Sequence, residues 1–310
     1  MKTFELDCAE KRLVLDHTCI MGVINVTPDS FYENSRCQSM DAILYRAEEM
    51  IRAGAEILDI GGESTSKMVR CYGYQTIEQS DASHTAYVGG GHVTTPGDTV
   101  DGEEEMERVV PVVEKLAQTF DCVVSVDTSS AMVMKEVCGV GAGMINDIRA
   151  LMRPGALDIA AELTVPVVLM HSLIEHPKPN FIPFYENVLD SVISYLEDAV
   201  QRAVSAGIDK RRLLIDPGFG GGLFGKTPDH DFIMLRHIEA FHQLGLPVLA
   251  GMSRKSFIGS VLDKGPKKRL AGSLAAAMLA AQAGVHIIRV HDVEETCDVI
   301  KLLDAVRNAQ

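Results

Sequence analysis

The sequence predicts an α/β fold, a (β/α)8 barrel with an N-terminal hairpin and a long insertion after the second barrel strand. Three observations carry this. Short apolar runs alternate with amphipathic stretches, as βα units around a parallel sheet require. Eight runs can be counted, near 18–25, 56–61, 122–127, 143–146, 165–170, 212–216, 247–252 and 286–290. Helix ends reading Ala53-Gly54, Ala206-Gly207 and Ala283-Gly284 each lead within a few residues into an apolar strand, a weak internal repeat.

Taken in order, residues 1–16 precede the first strand and are expected to form a small hairpin closing the barrel's N-terminal end. After strand 18–25, Ile43, Leu44, Ala47, Met50 and Ile51 share one helical face, and that helix stops at Gly54, the expected left-handed terminator. Strand 56–61 is followed by the long insertion. Met106, Val109, Val110, Val113 and Leu116 then line the next helix, ahead of strand 122–127. The final helix opens with Asp292 and carries Glu295 three residues later, the spacing of a capping box with Asp as the cap. One domain over residues 1–310 accommodates all of this, since such barrels take roughly 250 residues.

Composition narrows the function classes. With 46% hydrophobic and 23% charged residues, the chain has material for a core and is not disordered. No apolar run approaches the roughly 20 residues that cross a bilayer, so no membrane span is expected. The opening MKTFELDCAEKRLVLD carries acids and lacks an apolar h-region, which predicts no signal peptide and a cytoplasmic protein. Seven cysteines without a CxxC, several in apolar segments such as those of Cys122 and Cys138, read as buried thiols. A formal charge of −14 excludes general nucleic-acid binding, which needs clustered cations. Any anionic ligand must therefore be held by a local basic pocket.

The polar residues fall at the strand ends: Asn25, Asp59, Asp127, Asn146, His171, Asp216, Ser253 to Lys255, and Arg289 with His291. In a parallel barrel these ends converge on one face, where active sites of the fold lie. Asp and Asn also begin turns, which accounts for any one of them but not for all eight ends. Asp127, Asn146, Asp216 and Lys255 suit the edge of a heterocycle bearing amino, ring NH and carbonyl groups. The glycine-rich run from Asp216 to Thr227 lets backbone approach a flat ligand, with Phe219 or Phe224 to flank it, although a plain turn explains glycines equally well. For an anion the candidates are Arg254, Lys255, Arg289 and His291, with the N–H groups of a helix starting near Ser256.

Seven ordered motifs, MGVINVTPDSF (21–31), DIGGEST (59–65), SVDTS (125–129), INDI (145–148), DPGFG with FGKT (216–227), GMSRKS (251–256) and RVHDV (289–293), resemble those of the dihydropteroate synthase family. The resemblance runs from about residue 18 to 305. It implies a TIM barrel that condenses a hydroxymethyl dihydropterin diphosphate with p-aminobenzoate, is inhibited by sulfonamides, and uses Mg²⁺. By motif, Asp127, Asn146, Asp216 and Lys255 resemble the pterin set, with Met170 packing nearby. Asn25, Arg289 and His291 resemble the diphosphate site, Asn25 also serving the Mg²⁺. Ser256 resembles the seat of the benzoate carboxylate, and Thr27, Asp29 and Phe31 a mobile loop over the second substrate, with Thr65 at its side. A homodimer is implied as well, and Ala275–Ala277, Leu279 and Ala280 on the last two helices suit one, although helix-to-barrel burial explains them too.

One segment breaks the pattern. After GGEST the family continues with Arg-Pro-Gly, but here residues 66–94 intervene before Thr95-Pro96-Gly97, leaving Thr95 where the Arg is expected. Lys67 or Arg70 could replace it, and Thr94 competes with Thr65. Cys71, His84 and His92 in the insert match no recognised zinc spacing. Its position suggests a lid or a subunit contact, since loops this long are usually functional or disordered. Three extra residues, Gly221-Gly222-Leu223, lengthen the glycine loop. Two other readings compete: a pterin-dependent methyltransferase of the same barrel superfamily, which has no need of the SRKS and RVHD anion sites, and a non-catalytic pterin-binding protein.

Overall fold

The structure, a computed structural model, describes residues 2–26, 39–62, 73–75, 88–90, 102–173, 185–220 and 224–309. Its strands are β1 (Phe4–Cys8), β2 (Lys11–Leu15), β3 (Cys19–Asn25), β4 (Ile57–Gly61), β5 (Gly73–Gln75), β6 (Val88–Gly90), β7 (Val123–Asp127), β8 (Met144–Asp147), β9 (Val167–Met170), β10 (Leu213–Asp216), β11 (Leu249–Ala250) and β12 (Ile287–Val290). The α-helices are α1 (Met40–Ala53), α2 (Gly102–Thr119), α3 (Ala131–Gly139), α4 (Ala156–Glu162), α5 (Val188–Ser205), α6 (Pro228–Arg236), α7 (Ser256–Leu262), α8 (Leu270–Gln282) and α9 (Val293–Arg307).

Eight parallel strands pair in the order β10-β9-β8-β7-β4-β3-β12-β11. A parallel bridge between Ile215 and Val248, with the Ile215 N–H donating to the Pro247 carbonyl at 3.0 Å, joins the two ends of that order and closes the barrel. All eight expected strands are present, within a residue or two of their expected bounds.

Side chains alternate across a strand with period two, so the residues filling the barrel follow from register. Cys19, Met21, Ile57, Val123, Met144, Val168, Leu214, Leu249 and Ile287 form one apolar cluster with Leu6, Cys8, Leu13 and Leu15 of the β1–β2 hairpin. That hairpin therefore plugs the N-terminal end of the barrel, as expected. Two or four residues further along the same strands, the same inward face carries Asn25, Asp59, Ser125, Asp127, Asn146, Met170, Asp216 and Arg289. The opposite faces of the strands pack against the helices, where the buried residues of α1, α2 and α5 join one large core.

Helix ends follow the local chemistry. The Ser39 side chain accepts from the Ala42 N–H to cap α1, and Gly54, Gly207 and Gly284 all take positive φ, as the recurring Ala-Gly ends require. The expected capping box on α9 does not form: Asp292 makes no side-chain cap bond. Its carboxylate instead binds the Arg254 guanidinium through two contacts, at 2.8 and 2.6 Å, a stronger claim than a neutral N–H can make.

Of the insertion, β5 and β6 are described, and they pair antiparallel with Tyr74 opposite Gly89. The expected loop thus contains a short hairpin ladder; Lys67, Arg70, Cys71, His84, His92, Thr94 and Thr95 lie outside the described residues. Among the described residues no helix is long and apolar enough to cross a membrane.

Candidate active site

The polar ends of β4, β7, β8 and β12 form one connected network on the C-terminal face. Asp59, fully buried on β4, accepts from the Ser125 hydroxyl at 2.7 Å, the Asn146 amide at 3.2 Å and Arg289 Nε at 2.6 Å. Arg289 reaches on through Nη2 to Asp127 at 2.7 Å. One guanidinium thus bridges two carboxylates; burial works against its charge, but the neighbouring acids outweigh that and raise its pKa further. Asn25 and Asp127 stand on either side of Gly61 in register. A Cβ at residue 61 would come within 3.2 Å of Asn25 Oδ1 and 3.9 Å of Asp127 Cβ, so the missing side chain keeps that space open.

Asp216 ends β10 with its carboxylate accepting from the Gly218 N–H at 2.7 Å. Burial pushes its pKa up, and the Lys255 ammonium is the largest opposing influence. Lys255 caps α7, donates from Nζ to the Phe219 carbonyl and stands 5.3 Å from the centre of the Phe224 ring. Burial lowers its pKa to about 8 against the pull of Asp216.

His291 follows β12, with Nδ1 3.1 Å from the Ser253 hydroxyl, which also accepts from the His291 N–H at 3.3 Å. That arrangement has the hydroxyl donate to Nδ1 and leaves the ring proton on Nε2, a tautomer inferred from the bonds. Burial, then Arg289, pushes the imidazole pKa down to about 4, so it is neutral near pH 7.

The glycine-rich loop is fixed from several sides. Gly218 has φ +73°, and a Cβ there would lie 2.1 Å from the His171 carbonyl oxygen, so only glycine fits. Gly220 donates to Asp231 at 3.2 Å and accepts from the Ser256 hydroxyl at 3.1 Å. Tyr185 donates to the Gly225 carbonyl at 2.8 Å. Phe224, a non-glycine at φ +59°, packs with Met170 and Ile148 beneath Lys255. Such backbone strain at a site persists only where surrounding contacts hold it.

The structure gathers Asn25, Asp127, Asn146, Met170, Asp216, Phe224, Lys255, Ser256, Arg289 and His291 at this end of the barrel. Two expectations change. Phe219 is fully buried with its ring 6.1 Å from that of Phe257 in the helix-side core, so what it turns to the site is its carbonyl, and Phe224 is the aromatic that can flank a ligand. Arg254, expected as an anion ligand, is 8% exposed and spends its guanidinium on Asp292 and the carbonyls of Pro266 and Lys267. It braces the loop that presents Lys255. Thr27, Asp29, Phe31 and Thr65 lie outside the described residues.

Lys226 is the group that sequence reasoning missed. Only 1% exposed, its ammonium lies 2.6 Å from His171 Nδ1 and donates to the carbonyls of Phe224 at 3.3 Å and His171 at 3.4 Å. It ties the glycine loop to the end of β9. Burial lowers its pKa, and Asp231 and Asp216 oppose that. The signal was a lysine inside a glycine-rich apolar run, where a solvated position is hard to find.

Fold and site together define the class: the chain belongs to the family described as pterin binding enzyme, whose pattern matches residues 21–73 and 88–291. The gap in that match falls within the insertion. The dihydropteroate synthase of Haemophilus influenzae is 43% identical over 290 residues, covering 94% of each chain. The Yersinia pestis dihydropteroate synthase solved with a sulfonamide drug complex superposes with a TM-score of 0.83 at 40% identity, covering 99% of this chain and 100% of that one. The Xanthomonas albilineans dihydropteroate synthase solved with 7,8-dihydropteroate gives 0.78 at 39% identity, covering 99% of both. Within the pterin-binding enzymes, the chain belongs to the dihydropteroate synthases, which are transferases.

Proposed function

We propose that this site joins 6-hydroxymethyl-7,8-dihydropterin diphosphate to p-aminobenzoate, giving 7,8-dihydropteroate and diphosphate, the folate-building step of its family. The observation that carries the reading is the convergence, on one barrel face, of a hydrogen-bonding set for a heterocycle edge with a separate pair for an anion. Asp216, Asn146 and Asp127 take the amino and ring NH donors, Lys255 donates to the ring carbonyl or nitrogen, and Met170 and Phe224 pack on the ring. Arg289 and the Nε2–H of neutral His291 hold the diphosphate. Ser256 seats the benzoate carboxylate. Sulfonamides, as benzoate analogues, occupy the same side.

In the reaction the amine nitrogen forms a bond to the exocyclic methylene carbon as the carbon–oxygen bond to diphosphate breaks, and the leaving group takes that electron pair. The amine then loses a proton to solvent. The electron-rich dihydropterin spreads the developing positive charge, so the protein needs no nucleophile; it positions the amine and stabilises the departing anion. Asn25 would help to hold a Mg²⁺ ion, because its amide oxygen borders the space left open by Gly61. When bound, that ion neutralises charge on the leaving group.

The chain works as a homodimer in the cytoplasm on this reading. Met278, Leu279, Leu302 and Val306 are exposed on α8 and α9, whereas Ala276, Ala277 and Ala280 are already buried against the barrel. Sedimentation showing only monomer at micromolar concentration would end the dimer assignment. The free thiols of Cys8, Cys19, Cys122, Cys138 and Cys297 suit a reducing compartment. The reaction itself is tested by following diphosphate release. Release that requires both substrates supports it, pterin binding without any diphosphate release supports a non-catalytic binder, and methyl transfer to a corrinoid partner supports the methyltransferase.

A further inference from the structure

We propose that His17, Cys19 and Glu56 form a binding site for a borderline-soft divalent cation, of the Zn²⁺ class, at the N-terminal end of the barrel, remote from the reaction. The position follows from strand geometry. His17 and Cys19 are two residues apart entering β3, so their side chains share one side, and Glu56 lies beside them at the start of β4, its N–H donating to the Ile20 carbonyl at 3.1 Å. The ends of two adjacent, hydrogen-bonded strands thus bring an imidazole, a thiol and a carboxylate together.

The separations fit a metal. One ligand atom from each residue lies within 4.8 Å of the other two. The closest approaches are 3.1 Å for His17 Nε2 to Glu56 Oε1, 3.4 Å for Cys19 Sγ to Glu56 Oε2 and 3.9 Å for Cys19 Sγ to His17 Nε2. Around a tetrahedral Zn²⁺ with bonds of ~2.0–2.3 Å, the ligand-to-ligand edges are roughly 3.3–3.6 Å. His17 and Cys19 meet different oxygens of Glu56, so closing the site needs a rotation of that partly exposed carboxyl to bring one oxygen to both, with water in the fourth position.

A second, independent observation is the environment of the imidazole. Its Nδ1 is hydrogen-bonded to Asp16 Oδ1 at 2.6 Å, which aims Nε2 at the cluster. A carboxylate on the far nitrogen of a histidine is the usual support behind a metal ligand, fixing the tautomer and raising basicity. In the metal-free arrangement the Cys19 thiol and the His17 Nε2–H both point protons at Glu56, and a cation would replace those protons. The thiol is buried at the strand while His17 and Glu56 are 49% and 35% exposed in their side chains, so an ion can enter from solvent. Thiolate with imidazole favours Zn²⁺ or Co²⁺ over Mg²⁺ and Ca²⁺, which separates this site from the Mg²⁺ proposed near Asn25 at the other end of the barrel.

The full chain, stripped of metal, is titrated with Co²⁺ and followed by the near-ultraviolet thiolate-to-cobalt absorption and the visible d–d bands. The expected result is one Co²⁺ per chain with a thiolate band that Zn²⁺ displaces and excess Mg²⁺ does not. His17→Ala and Glu56→Gln change partly exposed side chains and should weaken binding at least about 10-fold, and Cys19→Ser should abolish the band. Asp16→Asn, which removes no ligand, should still weaken binding about 10-fold or more, the usual cost of losing such a supporting group. No thiolate band in the wild-type chain, or a band unchanged in both His17→Ala and Glu56→Gln, overturns the site whether or not Cys19→Ser folds. Unchanged affinity in Asp16→Asn overturns the supporting role of Asp16.

Discussion

Arg289→Ala separates what the arginine does for the fold from what it does for a ligand. Its guanidinium joins Asp59 at 2.6 Å and Asp127 at 2.7 Å, and Asp59 is fully buried. Removing one partner of a buried ion pair costs roughly 3–5 kcal/mol because a charge is left uncompensated. Asp59 keeps its bonds from Ser125 and Asn146, and Asp127 has 15% side-chain exposure, so the lower end, about 3 kcal/mol, applies. For 310 residues, unfolding entropy of about 2.1 cal/mol/K each gives about 0.65 kcal/mol/K, and the melting temperature should fall by about 5 °C. Diphosphate affinity should fall about 10- to 150-fold, the worth of charge-assisted hydrogen bonds at 1.5–3 kcal/mol. Adding Asp59→Asn to the variant removes the stranded charge and should recover half or more of the lost melting temperature, without recovering diphosphate affinity. Thermal denaturation and calorimetry with diphosphate read the two effects. An unchanged melting temperature in Arg289→Ala refutes the carboxylate bridge, and diphosphate binding restored by Asp59→Asn refutes direct contact with the anion.

Asp216→Asn should abolish turnover and weaken pterin binding by roughly 1–3 kcal/mol, the scale for a buried partner left unsatisfied; calorimetry showing unchanged affinity removes the assignment. Lys226→Met should raise KM for the pterin substrate several-fold with a smaller fall in kcat, because it loosens the glycine loop without touching substrate; a kcat loss at constant KM would place Lys226 in the chemistry instead. Lys255, with its pKa near 8, should make pterin affinity fall as pH rises through that value, a dependence absent in Lys255→Met. His286 accepts from the Val248 N–H at 3.0 Å, faces the Lys2 carbonyl at 3.1 Å, and has its pKa lowered by burial to about 4. Between there and the unfolded value near 6.5 the unfolded chain binds the extra proton, so this contribution is intact above about pH 6.5. It is lost toward pH 4, on the order of 3 kcal/mol. Burial also lowers His171, His230 and His291, so His286→Gln should remove only part of that slope in pH-dependent denaturation, roughly a quarter to a third of it; an unaltered slope counts against buried neutral His286.

The fold was legible because its signal repeats: eight apolar runs, each ending in a polar residue, and Ala-Gly helix ends that all prove left-handed. Period-two alternation carries the site as well, since residues such as Asp59, Asp127 and Arg289 share the inward face of their strands. What stayed hidden depends on competition among partners distant in sequence. Asp292 had the spacing of a cap, yet Arg254, 38 residues away, outbids a backbone N–H for its carboxylate. The same pairing removed Arg254 from the anion set. Phe219 and Phe224 look equivalent in a glycine run, and only the left-handed turn at Phe224 and the packing of Phe219 on Phe257 tell them apart. Lys226 carried no spacing to mark it, because its partners are carbonyls and an imidazole brought together by the barrel.

The measurement that tests the central claim most directly is a crystal structure of the chain with a non-hydrolysable analogue of the dihydropterin diphosphate. The account predicts the pterin edge within hydrogen-bond distance of Asp216, Asn146 and Lys255, its ring beside Phe224 and Met170, and the diphosphate on Arg289 and His291. A pterin bound elsewhere, or one turned so that its amino edge meets Arg289 while the diphosphate meets Lys255, would contradict it.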